Sequence, residues 1–195
     1  MRLSENRTVA WIVLALVIAC ALGLSGNALE KNALEMRGDV LKVFYTGASG
    51  DGLSIDSDLK QRAKDAYTLS GIAGRYPEVD TALVTKALTA QKAMDEANAL
   101  PQEKIKVRSD ANVELSRAIE DLYTALNNAN LSDVDRKDVR SVYDDFKSHG
   151  NTIGRDPYNE LAAQYTRDVQ KMYSGFPAGL IGGFKGGAPA LELFE

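Results

Sequence analysis

The sequence predicts an all-α protein: a short amino-terminal transmembrane helix, then an antiparallel up-and-down bundle of long helices, then an irregular glycine-rich carboxy-terminal tail. Three observations predict it. Val9 to Leu24 is an apolar run without a single charge. From Asn27 to Tyr173 apolar residues recur at three- and four-residue spacing, interrupted only at Gly, Pro and Asn clusters. No stretch of any length alternates apolar and polar residues as a half-buried strand requires.

The apolar run reaches about 24 Å as a helix, close to the roughly 30 Å of a bilayer core. Thr8 and Ser25-Gly26 extend it, and Trp11 stands where an interfacial aromatic is favoured. The expectation is a retained anchor over residues 9–26, with the lipid bilayer as its partner. Two alternatives stay open: cleavage at Ala19-Cys20-Ala21, and lipidation of Cys20 after Val17-Ile18-Ala19. Arg2 and Arg7 against Glu5 place residues 1–8 in the cytoplasm by the positive-inside rule, so the helical domain faces outward as part of a single-pass protein of the cytoplasmic membrane.

Residues 27–173 form the helical domain. Leu29, Ala33, Leu34, Met36, Val40, Leu41, Val43 and Phe44 predict a helix over Asn27–Tyr45 growing out of the anchor, and Gly47, Gly50 and Gly52 end it in a loop. Asp56 is placed to cap a helix from Ser57 to about Gly74, with Leu59, Ala63, Ala66, Tyr67 and Ile72 inward. Pro77 then sits near the start of a helix to about Ala99, whose stripe is Val79, Ala82, Leu83, Ala87, Leu88, Ala90, Met94 and Ala97. Leu100-Pro101 separates it from a long helix over Gln102–Asn127, with Ile105, Leu115, Ala118, Ile119, Leu122, Tyr123 and Leu126 inward. Ser132 caps the next, buried through Val139, Val142, Tyr143 and Phe146. Asp156-Pro157 opens the last, with Tyr158, Leu161, Tyr165, Val169, Met172 and Tyr173 inward. The tail, 174–195, holds six of the sixteen glycines interleaved with Phe176, Phe184 and Phe194. That is too much glycine for a helix and too much hydrophobicity for a solvated linker, so the tail is expected to pack on the bundle, the membrane or a partner.

The composition narrows the chemistry. A net charge of −4 with both signs interspersed and no basic stripe disfavours nucleic acid as a partner. One cysteine and one histidine, His149, are too few for a thiolate or histidine-rich metal centre, and no cofactor is expected. Asp133, Asp135, Asp138, Asp144 and Asp145 lack the glycine and distal glutamate of a calcium loop and read as a solvated helix face. His149 beside Gly150 reads as a helix-end residue, where positive charge is mildly favoured. The serines have no activating base in sight, so a non-enzymatic role is expected, with a hydrolase of unrecognised site as the remote alternative.

The anchor, the Asn27-Ala28-Leu29 element beyond it and the helical domain together resemble the LemA family of bacterial envelope proteins. The closest likeness is in the last part of the chain. Arg155-Asp156-Pro157-Tyr158-Asn159 resembles the family's Arg-x-x-Tyr-Asn, Tyr165 stands one heptad on, and Phe176-Pro177, Gly183-Phe184 and Leu193-Phe194-Glu195 resemble its closing elements. Leu59-Lys60-Gln61-Arg62 with Asp65 is similar to a Gln-x-x-Arg-Asp region. The chain departs from the family at Thr166 in place of a second asparagine, at Tyr67-Thr68-Leu69-Ser70, and at Gly150, Gly154 and Pro157, which predict a break or kink where the family's helix is continuous.

The resemblance implies a membrane-anchored helical bundle and supplies no catalytic residues. The candidate interaction residues are Tyr158, Asn159, Tyr165, Phe176, Phe184 and Phe194. The simpler reading of the tyrosines is that their rings fill space between helices while their hydroxyls are satisfied locally. The expected role is a protein-interaction module that binds an unknown envelope protein; the alternative is a structural envelope protein that forms a homo-oligomer.

Overall fold

A computed structural model describes residues 7–50, 52–174 and 190–194, with side chains at all of these except 7–10, 19, 22–24 and 27. Among the described residues the protein is all-α, with six helices and no strand: α1 (Arg7–Thr46), α2 (Ile55–Ala73), α3 (Thr81–Asn98), α4 (Ile105–Asn128), α5 (Asp133–Ile153) and α6 (Tyr158–Ser174). The chain divides into two compact units, Met1–Asp39 with Ala163–Leu191, and Val40–Ala162 with Glu192–Glu195.

The second unit is the bundle. In it α2 packs against α3, α4 and α5, and α3 packs against α4. Leu59, Leu69, Met94, Leu115, Ile119, Leu122 and Phe146 are fully buried at its centre, and the small residues Ala63, Ala66, Ala87 and Ala118 let the helices approach closely. Connections of a few residues reverse the chain between consecutive helices. Tyr123 and Tyr143 stack with ring centroids 3.6 Å apart, joining α4 to α5.

Several boundaries differ from the sequence-based expectation, each for a local reason. Ser54, not Asp56, caps α2: its hydroxyl accepts from the Ser57 amide and donates to the Tyr45 carbonyl, so one side chain closes both ends of the 47–54 turn. Gly47, Gly50 and Gly52 all take positive φ there, which only glycine adopts without strain. Asp56 instead pairs with Lys60 one turn on.

Pro77 lies four residues before α3, which starts at Thr81. The 76–79 turn closes through the Val79 amide on the Tyr76 carbonyl, and Asp80 caps the helix through the Ala82 amide. α4 begins at Ile105 rather than Gln102: the Lys104 amide closes a turn on the Pro101 carbonyl, and the Arg108 side chain donates to the carbonyls of Pro101 and Lys104. Ser132 caps α5 through the Asp135 amide, as expected.

Tyr67 is 64% exposed rather than inward, and Ala82 and Leu88 also face solvent. α5 runs straight through Gly150 and ends at Gly154, so the break before α6 lies at Gly154 to Pro157. His149, near the end of α5, has its Nδ1 2.8 Å from Asp58 Oδ1 on α2.

In the first unit, α1 is continuous through Ser25-Gly26, without a boundary between the anchor region and the helix after it. Trp11, Ile12, Val13, Leu14, Leu16, Val17 and Ile18 are 47–69% exposed. Among the described residues no helix is long and apolar enough to cross a membrane. In the run Val9–Leu24 the side chains at 9, 10, 19 and 22–24 lie outside the described residues, as do residues 1–6 of the predicted cytoplasmic end.

Candidate functional site

Asn159 fixes the candidate site. Asp156 accepts the Tyr158 amide at 2.9 Å and so closes the first turn of α6, which sets Tyr158 and Asn159 side by side at the start of that helix. Both then meet the segment Glu192-Leu193-Phe194. The Asn159 carboxamide pairs with the backbone of a single residue: its Nδ2 donates to the Phe194 carbonyl at 2.5 Å and its Oδ1 accepts from the Phe194 amide at 2.8 Å. A side chain thereby gives Phe194 the two hydrogen bonds that a neighbouring strand would give. The Tyr158 hydroxyl donates to the Glu192 carbonyl at 2.8 Å.

Two further contacts read side chains. The Glu192 carboxylate accepts the Lys106 backbone amide at 2.9 Å. α4 needs that acceptor, because its cap residue Lys104 makes no side-chain cap bond and its first turn holds no acidic residue. The Phe194 ring, 7% exposed, lies 5.9 Å from the fully buried Phe44, which meets Tyr158 edge-on at 5.1 Å.

A layer of α1 and α4 supports this wall. Tyr45 tilts against Phe44 at 4.9 Å and donates its hydroxyl to the Gln102 carbonyl at 3.0 Å. Burial pushes the Tyr45 hydroxyl up to about 12, only partly opposed by the Arg108 charge nearby. Arg108 is 1% exposed; it sits 5.6 Å from the Tyr45 ring and donates to the carbonyls of Asn98, Leu100, Pro101 and Lys104. Its charge thus rests on the carboxy-terminal carbonyls of α3 and the loop that follows, where the helix dipole favours a cation. The same loop delivers the start of α4 to Glu192.

Beside Phe194 a groove of about 520 Å³ continues between the end of α5 and the start of α6, lined in part by Asn112, Ile153, Arg155, Asn159 and Glu160. Below it lies a second buried cation. Arg62, 5% exposed, donates to Asn112 Oδ1 at 2.5 Å and Ser116 Oγ at 2.7 Å, and its guanidinium lies 4.1 Å from the centre of the Phe146 ring. Burial pulls it down to about 10, still far above neutral, so the charge persists in the core. Asp65 nearby is raised above its ordinary range, chiefly by burial. Among the described residues no three His, Cys, Asp or Glu side chains gather in a way that could hold a metal.

Of the six residues singled out from the sequence, the structure brings three together: Tyr158, Asn159 and Phe194. Tyr165 belongs to the other unit, where it is buried; its hydroxyl has no hydrogen-bond partner among the described residues and is raised by burial. Phe176 and Phe184 lie outside the described residues.

Sequence reasoning missed Glu192, Phe44 and Arg108 as parts of the site. Glu192 and Phe194 meet partners 86 and 35 positions away, and no local pattern announces either contact. Arg108 carries a weak signal: a lone basic residue on the same helix face as Ile105 and Leu115, where a solvated cation does not belong. Comparison of the chain with family models, with curated proteins and with solved structures finds no match.

Proposed function

We propose that the chain is a membrane-anchored, LemA-like protein-interaction module of the cell envelope, without enzymatic activity. Residues 9–26 cross the cytoplasmic membrane with the amino terminus inside, and the helical domain stands on the outer face. The observation that carries this reading is the exposure of Trp11 through Ile18, large apolar side chains on every side of one helix. Such a surface is unstable in water and natural in lipid, because burial of each side chain is worth about 1.5–3 kcal/mol. The uncharged sequence on either side of these residues lengthens the same surface toward bilayer thickness.

Interaction is supported by the candidate site, whose hydrogen bonds hold an extended peptide segment by its backbone. The test is crosslinking of the full-length protein in intact cells, followed by detergent extraction and identification of what is captured. One abundant envelope protein joined to the helical domain is the expected result. Recovery of self-crosslinks alone would move the reading to a structural oligomer, and recovery of the protein in the soluble fraction would remove the anchor.

A further inference from the structure

We infer that Tyr123 and Tyr143 are a site of oxidative modification: under a one-electron oxidant that draws on hydrogen peroxide, their rings couple to a dityrosine that staples α4 to α5 within one chain. The two rings stand face to face, with centroids 3.6 Å apart and planes 4° from parallel. At that separation the rings are barely offset. Whatever the rotation of one over the other, a carbon ortho to each hydroxyl therefore lies over the partner ring at van der Waals contact. Free aromatic pairs avoid this arrangement, because the negative faces of two neutral rings repel. Here the two helices impose it, and removing an electron from one ring reverses the preference, since the electron-poor radical is drawn to the face it already touches.

Both rings are half-buried rather than sealed in the core, so a small oxidant reaches them from solvent. α4 and α5 are the neighbouring pair that packs most loosely in the bundle. Glu120 and Lys147, each about one turn from its tyrosine, pair across the same seam at 3.2 Å and stand in solvent. Burial holds the Tyr143 hydroxyl above its ordinary range, so at neutral pH this phenol gives up its proton together with its electron. Each tyrosine loses one electron and one proton, and the two radicals form a single carbon–carbon bond between ortho carbons. The hydrogen on each joined carbon then moves to the oxygen and restores the phenol. Hydrogen peroxide, activated at a haem, takes up both electrons and both protons and leaves as two waters. The bond closes the stretch 123–143 and removes chain entropy from the unfolded state, as a disulfide of that span would. Cys20, the single cysteine of the sequence, cannot form such a disulfide within these residues.

The test treats purified full-length protein with hydrogen peroxide and a small haem peptide, isolates the monomer and digests it with trypsin. Cleavage after Arg117, Arg136, Arg140 and Lys147 parts residues 118–136 from residues 141–147 unless the rings are joined. The expected product is that peptide pair, lighter by two hydrogens than its separate members and carrying the blue fluorescence of a biphenol. Its yield is expected to stay constant when the protein is diluted, because the reaction lies within one chain. Absence of the pair from oxidised monomer, or a yield that falls with dilution, overturns the proposal.

Tyr123→Phe and Tyr143→Phe each keep the stacked ring and lose the hydroxyl, so each is expected to fold and to abolish the peptide pair and its fluorescence. Tyr67→Phe removes a tyrosine of α2 that is 64% exposed and is expected to leave the pair unchanged. Loss of the pair in Tyr67→Phe, or its fluorescence persisting in the other two, overturns the assignment; if a variant fails to fold, the wild-type digest decides alone. The crosslinked monomer is also expected to melt several degrees above untreated protein, and an unchanged or lower Tm overturns its role as a staple.

Discussion

Replacing Asn112 by alanine should cost more stability than removing the charge it serves. Arg62 is buried between α2, α4 and α5, where among the described residues its guanidinium donates to Asn112 Oδ1 at 2.5 Å and Ser116 Oγ at 2.7 Å, and its Nε meets no acceptor. Asn112→Ala leaves one arm of a desolvated guanidinium without an acceptor, a loss of about 2–3 kcal/mol for a hydrogen bond to a charged group. At about 2–4 °C per kcal/mol for a chain of this size, the midpoint should fall by roughly 4–12 °C.

Arg62→Met removes the buried charge itself, and with it the desolvation that depresses the guanidinium, while keeping an unbranched apolar chain against Phe146. Asn112 then faces the groove beside Phe194, where water can reach it. The cost should be about 1 kcal/mol. In the double variant the two losses overlap, giving a coupling of about 1–2 kcal/mol. The assay is urea denaturation of the four proteins in detergent, followed by helicity. Additive losses, or an Asn112→Ala variant within about 0.5 kcal/mol of wild type, would refute the reasoning that Arg62 is held by directed hydrogen bonds.

Other perturbations give sharp expectations. Gly150→Ala should stabilise by about 0.5–1 kcal/mol, since the added Cβ meets the Arg62 guanidinium no closer than 3.4 Å and the helix interior gains alanine; destabilisation would show that the guanidinium cannot move at all. Ser54→Ala should cost about 1 kcal/mol through the lost cap of α2, read by thermal melts, whereas Asp56→Ala should cost less because its pair with Lys60 is partly solvated. Tyr45 titrates near 12 in the folded protein and near 10 when unfolded, so its share of stability is complete below pH 10 and is lost as pH rises toward 12. Tyr45→Phe should abolish that alkaline step in a pH-dependent denaturation series. Asp135, held below its ordinary range first by the Tyr76 hydroxyl and then by Ser132 and Arg75, acts at the other end: its contribution is present above the unfolded carboxylate range and lost as pH falls through the depressed value. Tyr76→Phe should shift the loss of stability in acid to higher pH.

The all-α class and the order of elements were legible because hydrophobic periodicity over fifteen or more residues is a strong signal. Ser132 and the Asp156-Pro157 start were legible because each stands alone before its helix. The start of α2 was not, since Ser54, Asp56 and Ser57 are all good caps; the choice falls on the one whose hydroxyl also reaches the Tyr45 carbonyl. Arg62 and Arg108 were not read as interior residues because a polarity pattern assigns cations to the surface, and only tertiary structure supplies the carbonyls, the amide and the rings that hold them. Tyr158 and Asn159 were singled out, but their partner could not be named: Glu192 and Phe194 enter from the far end of the sequence as single residues, without period or motif.

The proposed placement of the helical domain outside the membrane, with residues 9–26 as anchor, is tested by treating intact spheroplasts with a protease and probing for the domain between residues 40 and 162. The expected result is degradation of the domain from outside, with a short amino-terminal fragment left in membranes that resist alkaline extraction. A domain protected until the spheroplasts are lysed, or a chain released by alkaline extraction, would contradict it.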